Sequence, residues 1–267
     1  MERLTSRENE QIKYLSRLMR SKRERRAAGM FVAEGARLCA EALENRVEVL
    51  KAYLVPGALE RYPQLARALT KTPCDCVEIT PELSNRLSDT DTPQGVYCLC
   101  RMLDNGPHTV KIDTDGQYLA LCGLQDPGNV GTIIRTAEAM GLTGLILAGS
   151  CPDIYSPKVL RSTMGSVFRL PIRVAGDEAV LLQEARAAGV KSYAAALHRQ
   201  ACLLPGTGLG PGSLVLIGNE GNGLPDAVVQ ACDAPLMIQM PGRAESLNAA
   251  MAAGIIVWEM ARARLSL

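Results

Sequence analysis

The sequence is poor in aromatic residues, with two Phe and one Trp in 267 residues. This scarcity argues against a protein that stacks many nucleobases on aromatic side chains. No stretch approaches the ~18 consecutive apolar residues of a membrane span. The first fifteen residues also lack the apolar run of a secretory signal peptide. We therefore expect a cytoplasmic protein with no membrane-spanning segment.

The chain also has no excess charge of either sign, since 29 Lys and Arg balance 28 Asp and Glu. A uniformly basic nucleic-acid coat is excluded, but the first 30 residues hold nine basic residues against four acidic ones. Ile12, Leu15 and Leu18 recur at helical spacing and predict one amphipathic helix that ends at Gly29. Its basic face is either an ordinary solvated surface or a surface that contacts RNA phosphates. The candidate RNA-binding residues are Lys13, Arg20, Lys22, Arg23, Arg25 and Arg26.

Nine cysteines are scattered through apolar stretches, an odd count that suits reduced thiols in a cytoplasm. Two C-x-C pairs, Cys74/Cys76 and Cys98/Cys100, each place two thiols on one face of a predicted strand. A structural zinc site is the alternative, but zinc ligands usually have longer spacings with turn residues between them. We therefore favour buried thiols and expect no metal. His108 and His198 are isolated, and neither has the spacing of a metal site.

Short apolar strands alternate with helical patterns along most of the chain, which predicts an α/β fold. We expect a small N-terminal α/β domain over 1–105, a linker over 106–116 and a parallel-sheet domain over 117–267. Ligands of parallel sheets bind in loops beyond the carboxyl ends of the strands. Three loops, 125–131, 218–223 and 241–248, are therefore the candidates for chemistry.

The first loop turns tightly at Pro127 and Gly128 after a strand, and a helix starts close by. The free N–H groups of a helix start suit an anion or polar ligand. Asn129 lies at this start and can both donate and accept hydrogen bonds. Arg135 lies about one and a half turns further on, where it either faces a cleft or forms a salt bridge.

The second loop, L-I-G-N-E-G-N-G-L, places Glu220 among three glycines, whose backbone can approach a ligand closely. Its G-x-x-G-x-G spacing differs from the dinucleotide-binding G-x-G-x-x-G, so we reject a nicotinamide or flavin site. The third loop contains Ser246, a predicted N-cap of the last helix, with Asn248 in the first turn. Trp258, further along that helix, is either a core residue or a dimer contact.

Three motifs occur in order: D-P-G-N-V-G-T-I-I-R-T-A, L-I-G-N-E-G-N-G-L and M-P-G-R-A-E-S-L-N-A-A. Together they closely resemble the SpoU (TrmH-type) branch of the SPOUT RNA methyltransferases, over roughly 117–264. The segments S-R-E-N-E-Q-I-K and F-V-A-E-G-A-R-L resemble the N-terminal substrate-binding domain of that family. The resemblance implies a trefoil-knotted C-terminal domain, a homodimer formed through it, and S-adenosylmethionine as cofactor. It also implies methylation of a ribose 2′-hydroxyl in structured RNA.

Carried onto this sequence, the resemblance implies a catalytic set and a cofactor-binding set. The catalytic residues would be Arg135, Asn129, Glu220, Ser246 and Asn248. The cofactor-binding residues would be Leu197, Gly218, Ile238, Met240 and Leu247. Methyl transfer from a sulfonium needs placement of the 2′-oxygen and loss of its proton, but no metal and no covalent nucleophile.

The basic N-terminal segment and the additional domain favour a large structured RNA, so we expect 23S ribosomal RNA as the substrate. Transfer RNA is the alternative within the same chemistry. A non-catalytic RNA-binding assembly protein of the same fold is a third hypothesis. Loss of motif residues would favour that third hypothesis, and all of them are present.

Overall fold

A computed structural model describes residues 2–45, 47–72 and 74–265. The chain forms two units, described separately below. The N-terminal unit comprises the chain up to Leu103 together with Asp153–Arg169, and the C-terminal unit comprises Asp104–Pro152 and the chain from Leu170 onward. In the described ranges, no helix is both long and apolar enough to cross a membrane.

The elements before Leu103 alternate between strands and helices, as the hydrophobic patterns predict. They are β1 (Glu2–Leu4), α1 (Glu10–Arg20), α2 (Lys22–Ala28), β2 (Met30–Glu34), α3 (Ala36–Glu44), β3 (Val49–Leu54), α4 (Ala58–Arg61), α5 (Pro63–Lys71), β4 (Asp75–Ile79), α6 (Pro81–Leu87) and β5 (Val96–Arg101). The five strands form one mixed sheet in the order β1-β4-β3-β5-β2. Ile12, Leu15 and Leu18 of α1 are buried in its core, as their spacing predicts.

The predicted single N-terminal helix is wrong in one respect, because it is broken at Ser21. This residue leaves the helical conformation, with φ −124° and ψ 116°, and its hydroxyl accepts the backbone N–H of Glu24. A Ser followed three residues later by Glu is a helix-start signature, so the second helix gains its own cap. Gly29 ends α2 in the left-handed conformation, as predicted.

The remaining elements follow the same alternation. They are β6 (Gln117–Cys122), α7 (Pro127–Ala139), β7 (Gly144–Ala148), α8 (Pro157–Thr163), a 3-10 turn (Ser166–Phe168), β8 (Ile172–Val174), α9 (Glu178–Ala187), β9 (Lys191–Ala195), β10 (Cys202–Leu203), a 3-10 turn (Leu204–Gly206), β11 (Ser213–Ile217), α10 (Asp226–Ala231), β12 (Ala234–Met237) and α11 (Ala249–Leu265). The seven strands of the C-terminal unit form an all-parallel sheet in the order β10-β12-β9-β11-β6-β7-β8. The α/β class and the parallel sheet are thus confirmed, and the trefoil knot stays a prediction.

Two segments differ from the domain division expected from the sequence. The stretch Asp153–Arg169, expected in the C-terminal domain, packs within the N-terminal unit. Phe31 is flanked there by Tyr155 and Phe168, at ring-centroid distances of 4.8 and 6.1 Å. The expected linker is not a free connection either, because Val110 and Ile112 are buried in the core of the C-terminal unit.

Candidate active site

The three motif loops lie at one edge of the parallel sheet. Ile217, the last residue of β11, pairs with Leu121 of β6 and Ala195 of β9, so these strands end at nearly the same level. The loops that follow them therefore emerge together beyond the carboxyl ends of the strands. This arrangement brings the first two motifs to one place, and hydrogen bonds described below bring in the third.

The first motif forms the start of α7. Asp126 is its N-cap, and its carboxylate accepts the backbone N–H groups of Gly128 and Asn129 at 2.5 and 3.1 Å. Pro127 fits the next position because the first N–H of a helix has no intrahelical partner. Arg135 lies further along the same helix, on its exposed face. Sequence reasoning missed Asp126, although an Asp just before a Pro-initiated helix is a recognisable cap pattern.

Glu220 joins two of the loops through three hydrogen bonds. Its carboxylate accepts the backbone N–H groups of Gln125 and Asp126 at 2.9 and 3.0 Å, and the side-chain Nδ2 of Asn129 at 3.0 Å. Partial burial opposes ionisation, but these hydrogen bonds outweigh it and hold the pKa of Glu220 below its ordinary value. The carboxylate is therefore an ionised acceptor that positions the start of α7.

Asn248 connects the third loop to the same network. Its Oδ1 accepts the backbone N–H groups of Ala250 and Met251 at 2.9 and 3.3 Å, and its Nδ2 donates to Oδ1 of Asn129 at 3.1 Å. The N-cap of α11 is thus Asn248, and the prediction of Ser246 in that role is wrong. Both residue types cap helices well, and Asn248 takes the role because it immediately precedes the first helical residue.

The glycine-dense loop is organised by Asn219, a residue that sequence reasoning also missed. Its Oδ1 accepts the N–H groups of Gly221 and Asn222, and its Nδ2 donates to the carbonyl oxygen of Gly123 at 2.9 Å. Gly218 is required here because a Cβ would lie 2.2 Å from the carbonyl carbon of Gly223. An Asn that bonds N–H groups two and three residues ahead forms a local turn, so the N-E-G-N string contained the signal.

A cavity of about 470 Å³ lies beside this loop. The size is within the range of small-molecule sites. All five predicted cofactor-binding residues line it, as do Glu220 and Ser246, whereas Asn129, Arg135 and Asn248 do not. Those five are Leu197, Gly218, Ile238, Met240 and Leu247. The cavity also contacts His198, which sequence reasoning left as an isolated residue.

The predicted RNA-binding residues lie on α1 and α2 of the N-terminal unit, and one of them is not on the surface. Arg25 is 3% exposed, and its guanidinium bonds Asp153 at 2.6 and 2.7 Å. Its prediction as a phosphate contact is wrong, because a buried and paired guanidinium does not reach RNA. Lys13 is bound to Glu8 and Glu10, each at 3.2 Å. The exposed members of the set are Arg20, Lys22, Arg23 and Arg26.

The cysteines are free thiols, and burial raises the pKa of Cys74 to about 12. In the described part of the chain, no group of three or more His, Cys, Asp or Glu side chains is placed to hold a metal ion.

Comparison with known proteins defines the class to which this fold and site belong. A sequence profile of the SpoU rRNA Methylase family matches residues 116–258, which is more than half of the chain. A profile of the MRM3-like substrate binding domain matches residues 9–98. The chain belongs to the SpoU rRNA Methylase family, whose chemistry is methyl transfer to RNA.

Individual relatives match over nearly their whole length. The 23S rRNA (guanosine(2553)-2′-O)-methyltransferase RlmP of Bacillus subtilis is 32% identical, covering 97% of this chain and 99% of that protein. The AdoMet-bound rRNA methyltransferase of Sinorhizobium meliloti is similar in structure, with a TM-score of 0.85 and 32% identity over 98% of this chain and 97% of that one. The SpoU methyltransferase AviRb of Streptomyces viridochromogenes, in complex with AdoMet, has a TM-score of 0.86 and 30% identity over 97% and 99%.

Proposed function

We propose that this protein transfers the methyl group of S-adenosylmethionine to a ribose 2′-hydroxyl of 23S ribosomal RNA in the cytoplasm. The observation that carries the proposal is the junction of all three motif loops beside one cavity, through the hydrogen bonds from Asn248 to Asn129 and from Asn129 to Glu220. Relatives matching 97% and 99% of the chain are named as 23S rRNA 2′-O-methyltransferases of Bacillus subtilis and Streptomyces viridochromogenes. These names favour ribosomal over transfer RNA.

The cavity suits the proposed cofactor. Its walls combine apolar side chains, such as Leu197, Ile238 and Leu247, with backbone of the glycine-dense loop. Apolar surfaces and backbone N–H and C=O groups are what an adenosyl group needs. The tight turn at Gly218 leaves room for no side chain. The bound cofactor would supply the activated methyl group, and the protein residues would position the RNA oxygen beside it.

Arg135 acts on the RNA rather than on the cofactor in this proposal. Its side chain is exposed and does not line the cavity. Because arginine stays protonated in proteins, we assign it to anchoring the neighbouring phosphate and stabilising negative charge on the 2′-oxygen. A guanidinium is a poor proton acceptor, so we assign no general base to it.

The remaining polar residues of the motifs position the site. Glu220, Asn129 and Asn248 use their side chains mainly on one another and on backbone N–H groups, which fixes the loop geometry. Ser246 lines the cavity and is exposed, so its hydroxyl is free to contact the ribose. Fixed positions matter because a small misplacement of the 2′-oxygen costs a large factor in rate.

The N-terminal unit would bind the RNA. Arg20, Lys22, Arg23 and Arg26 are exposed on α1 and α2, where they would contact phosphates. The match of residues 9–98 to a substrate-binding domain supports this assignment.

We also propose a homodimer that forms through α11. Met251 and Trp258 are 62% and 49% exposed, and Ile255 lies between them on the same helix face. Large apolar side chains clustered on one face mark an interaction surface. A second copy of the chain would cover them.

Transfer of labelled methyl from S-adenosylmethionine to unmodified total RNA tests the function. We expect label in large ribosomal RNA, released as a 2′-O-methylnucleoside. Label in transfer RNA would overturn the substrate but keep the chemistry. Cofactor binding without any transfer, to naked or ribosome-assembled RNA, would favour the non-catalytic hypothesis.

A further inference from the structure

His198 stands out among the residues that line the cofactor cavity. The ionisable side chains there are the acids Glu220 and Asp226 and the imidazole of His198. Within the described ranges, no Lys or Arg lines this cavity. His198 is therefore the ionisable wall residue that can donate a hydrogen bond to an anion.

The imidazole is oriented by its own turn. Its Nδ1 accepts the backbone N–H of Gln200 at 3.2 Å, and its carbonyl oxygen accepts the N–H of Ala201 at 3.0 Å. A neutral imidazole with Nδ1 as acceptor carries its proton on Nε2. His198 therefore offers a hydrogen-bond donor at Nε2.

The proposed cofactor needs such a donor. The methionyl end of S-adenosylmethionine carries a carboxylate, which enters a cavity whose other ionisable groups are acidic. Glu220 is already occupied by three hydrogen bonds, and its negative charge repels a second carboxylate. Binding of a carboxylate in a cavity with acidic walls is unfavourable unless a hydrogen-bond donor lies beside it.

We propose that His198 binds the methionyl carboxylate of S-adenosylmethionine through Nε2. This proposal rests on the proposed function, which places the cofactor in the cavity. His198 is thus a cofactor-binding residue, and it selects ligands that carry a carboxylate.

The test compares direct binding of S-adenosylmethionine and of decarboxylated S-adenosylmethionine, measured by isothermal titration calorimetry on the full chain. In His198→Ala, we expect the Kd for S-adenosylmethionine to rise about tenfold, as for loss of a hydrogen bond to a charged group. The Kd for the decarboxylated ligand should change less than about twofold. His198→Gln, whose amide also offers a donor, should recover most of the affinity.

Arg199→Ala is the matched control, because Arg199 is the next residue, is exposed and does not line the cavity. It should bind both ligands like the wild type. An equal loss of affinity for both ligands in His198→Ala would overturn the proposal. Unchanged cofactor affinity with weaker RNA binding would also overturn it, by assigning His198 to an RNA phosphate. The wild-type Kd reports separately on whether the cofactor binds at all, and methyl transfer reports on the proposed function.

Discussion

Replacing Arg25 by Met should destabilise the N-terminal unit while leaving the proposed RNA-binding surface, Arg20, Lys22, Arg23 and Arg26, chemically intact. The side chains of Arg25 and Asp153 are 4% and 10% exposed, and the guanidinium Nη1 also donates to the carbonyl oxygens of Leu18 and Met19 at 2.6 and 3.2 Å. Arg25→Met leaves a buried carboxylate without its cation and two carbonyl groups without their donor. Removing one partner of a buried pair costs about 3–5 kcal/mol.

Hydrogen exchange measured by mass spectrometry locates this effect. Peptides from α2 and from the segment after Asp153 should exchange roughly two to four orders of magnitude faster, since each 1.4 kcal/mol is a factor of ten. Replacing both partners, as Arg25→Met with Asp153→Leu, should recover much of the loss because no unpaired charge is then left buried.

Arg26→Met is the matched control on the same helix, because Arg26 is exposed. It should change stability by less than about 0.5 kcal/mol. If Arg26 contacts a phosphate, the slope of log affinity against log salt should fall by about 0.7–0.9. Two results would refute the assignment of Arg25 to the core and Arg26 to the surface. One is unchanged protection from hydrogen exchange in Arg25→Met. The other is a salt slope that falls for Arg25→Met and not for Arg26→Met.

Three further predictions concern the C-terminal unit. Arg135→Ala should reduce methyl transfer by about 10²-fold or more, as for loss of a charge-stabilising donor, and keep cofactor affinity; a matching loss of affinity in calorimetry would show a structural role instead. Glu220→Gln removes an acid whose pKa is lower in the folded than in the unfolded state. The wild type should therefore have a higher Tm than the variant above the unfolded pKa of about 4.3, and the difference should vanish as the pH falls through the folded pKa. A difference in Tm that persists in stronger acid would contradict this. Trp258→Glu should convert the proposed homodimer into a monomer in sedimentation experiments, and a dimer of unchanged strength would exclude α11 as the interface.

Local patterns predicted most of the fold. Periodic apolar residues located the helices and strands, because burial of one face is a short-range property of the sequence. The broken helix at Ser21 was also locally encoded, through the cap that its hydroxyl offers to Glu24. In contrast, no local pattern shows that Asp153–Arg169 belongs to the N-terminal unit. Its place there depends on Phe31 and other residues more than a hundred positions earlier.

The candidate site likewise combines features that the sequence predicts with features that depend on residues far apart in the chain. The rule for parallel sheets predicted which loops meet, and the resemblance indicated which residues in them are candidates for the site. The hydrogen bonds between Asn129, Glu220 and Asn248 join residues 91 and 119 positions apart, and no spacing rule predicts such partners. His198 had no sequence signal at all, since its importance comes only from the cavity beside it.

Arg25 shows why a charge pattern alone misassigns residues. It stands among exposed basic residues, and by composition it is indistinguishable from Arg23 and Arg26. Its carboxylate partner, Asp153, lies 128 positions away, in a segment that the local patterns assigned to the other domain. A run of basic residues therefore predicts a basic surface but does not tell which of its residues are exposed on it. An arginine can contact RNA only if a buried acid has not already neutralised it.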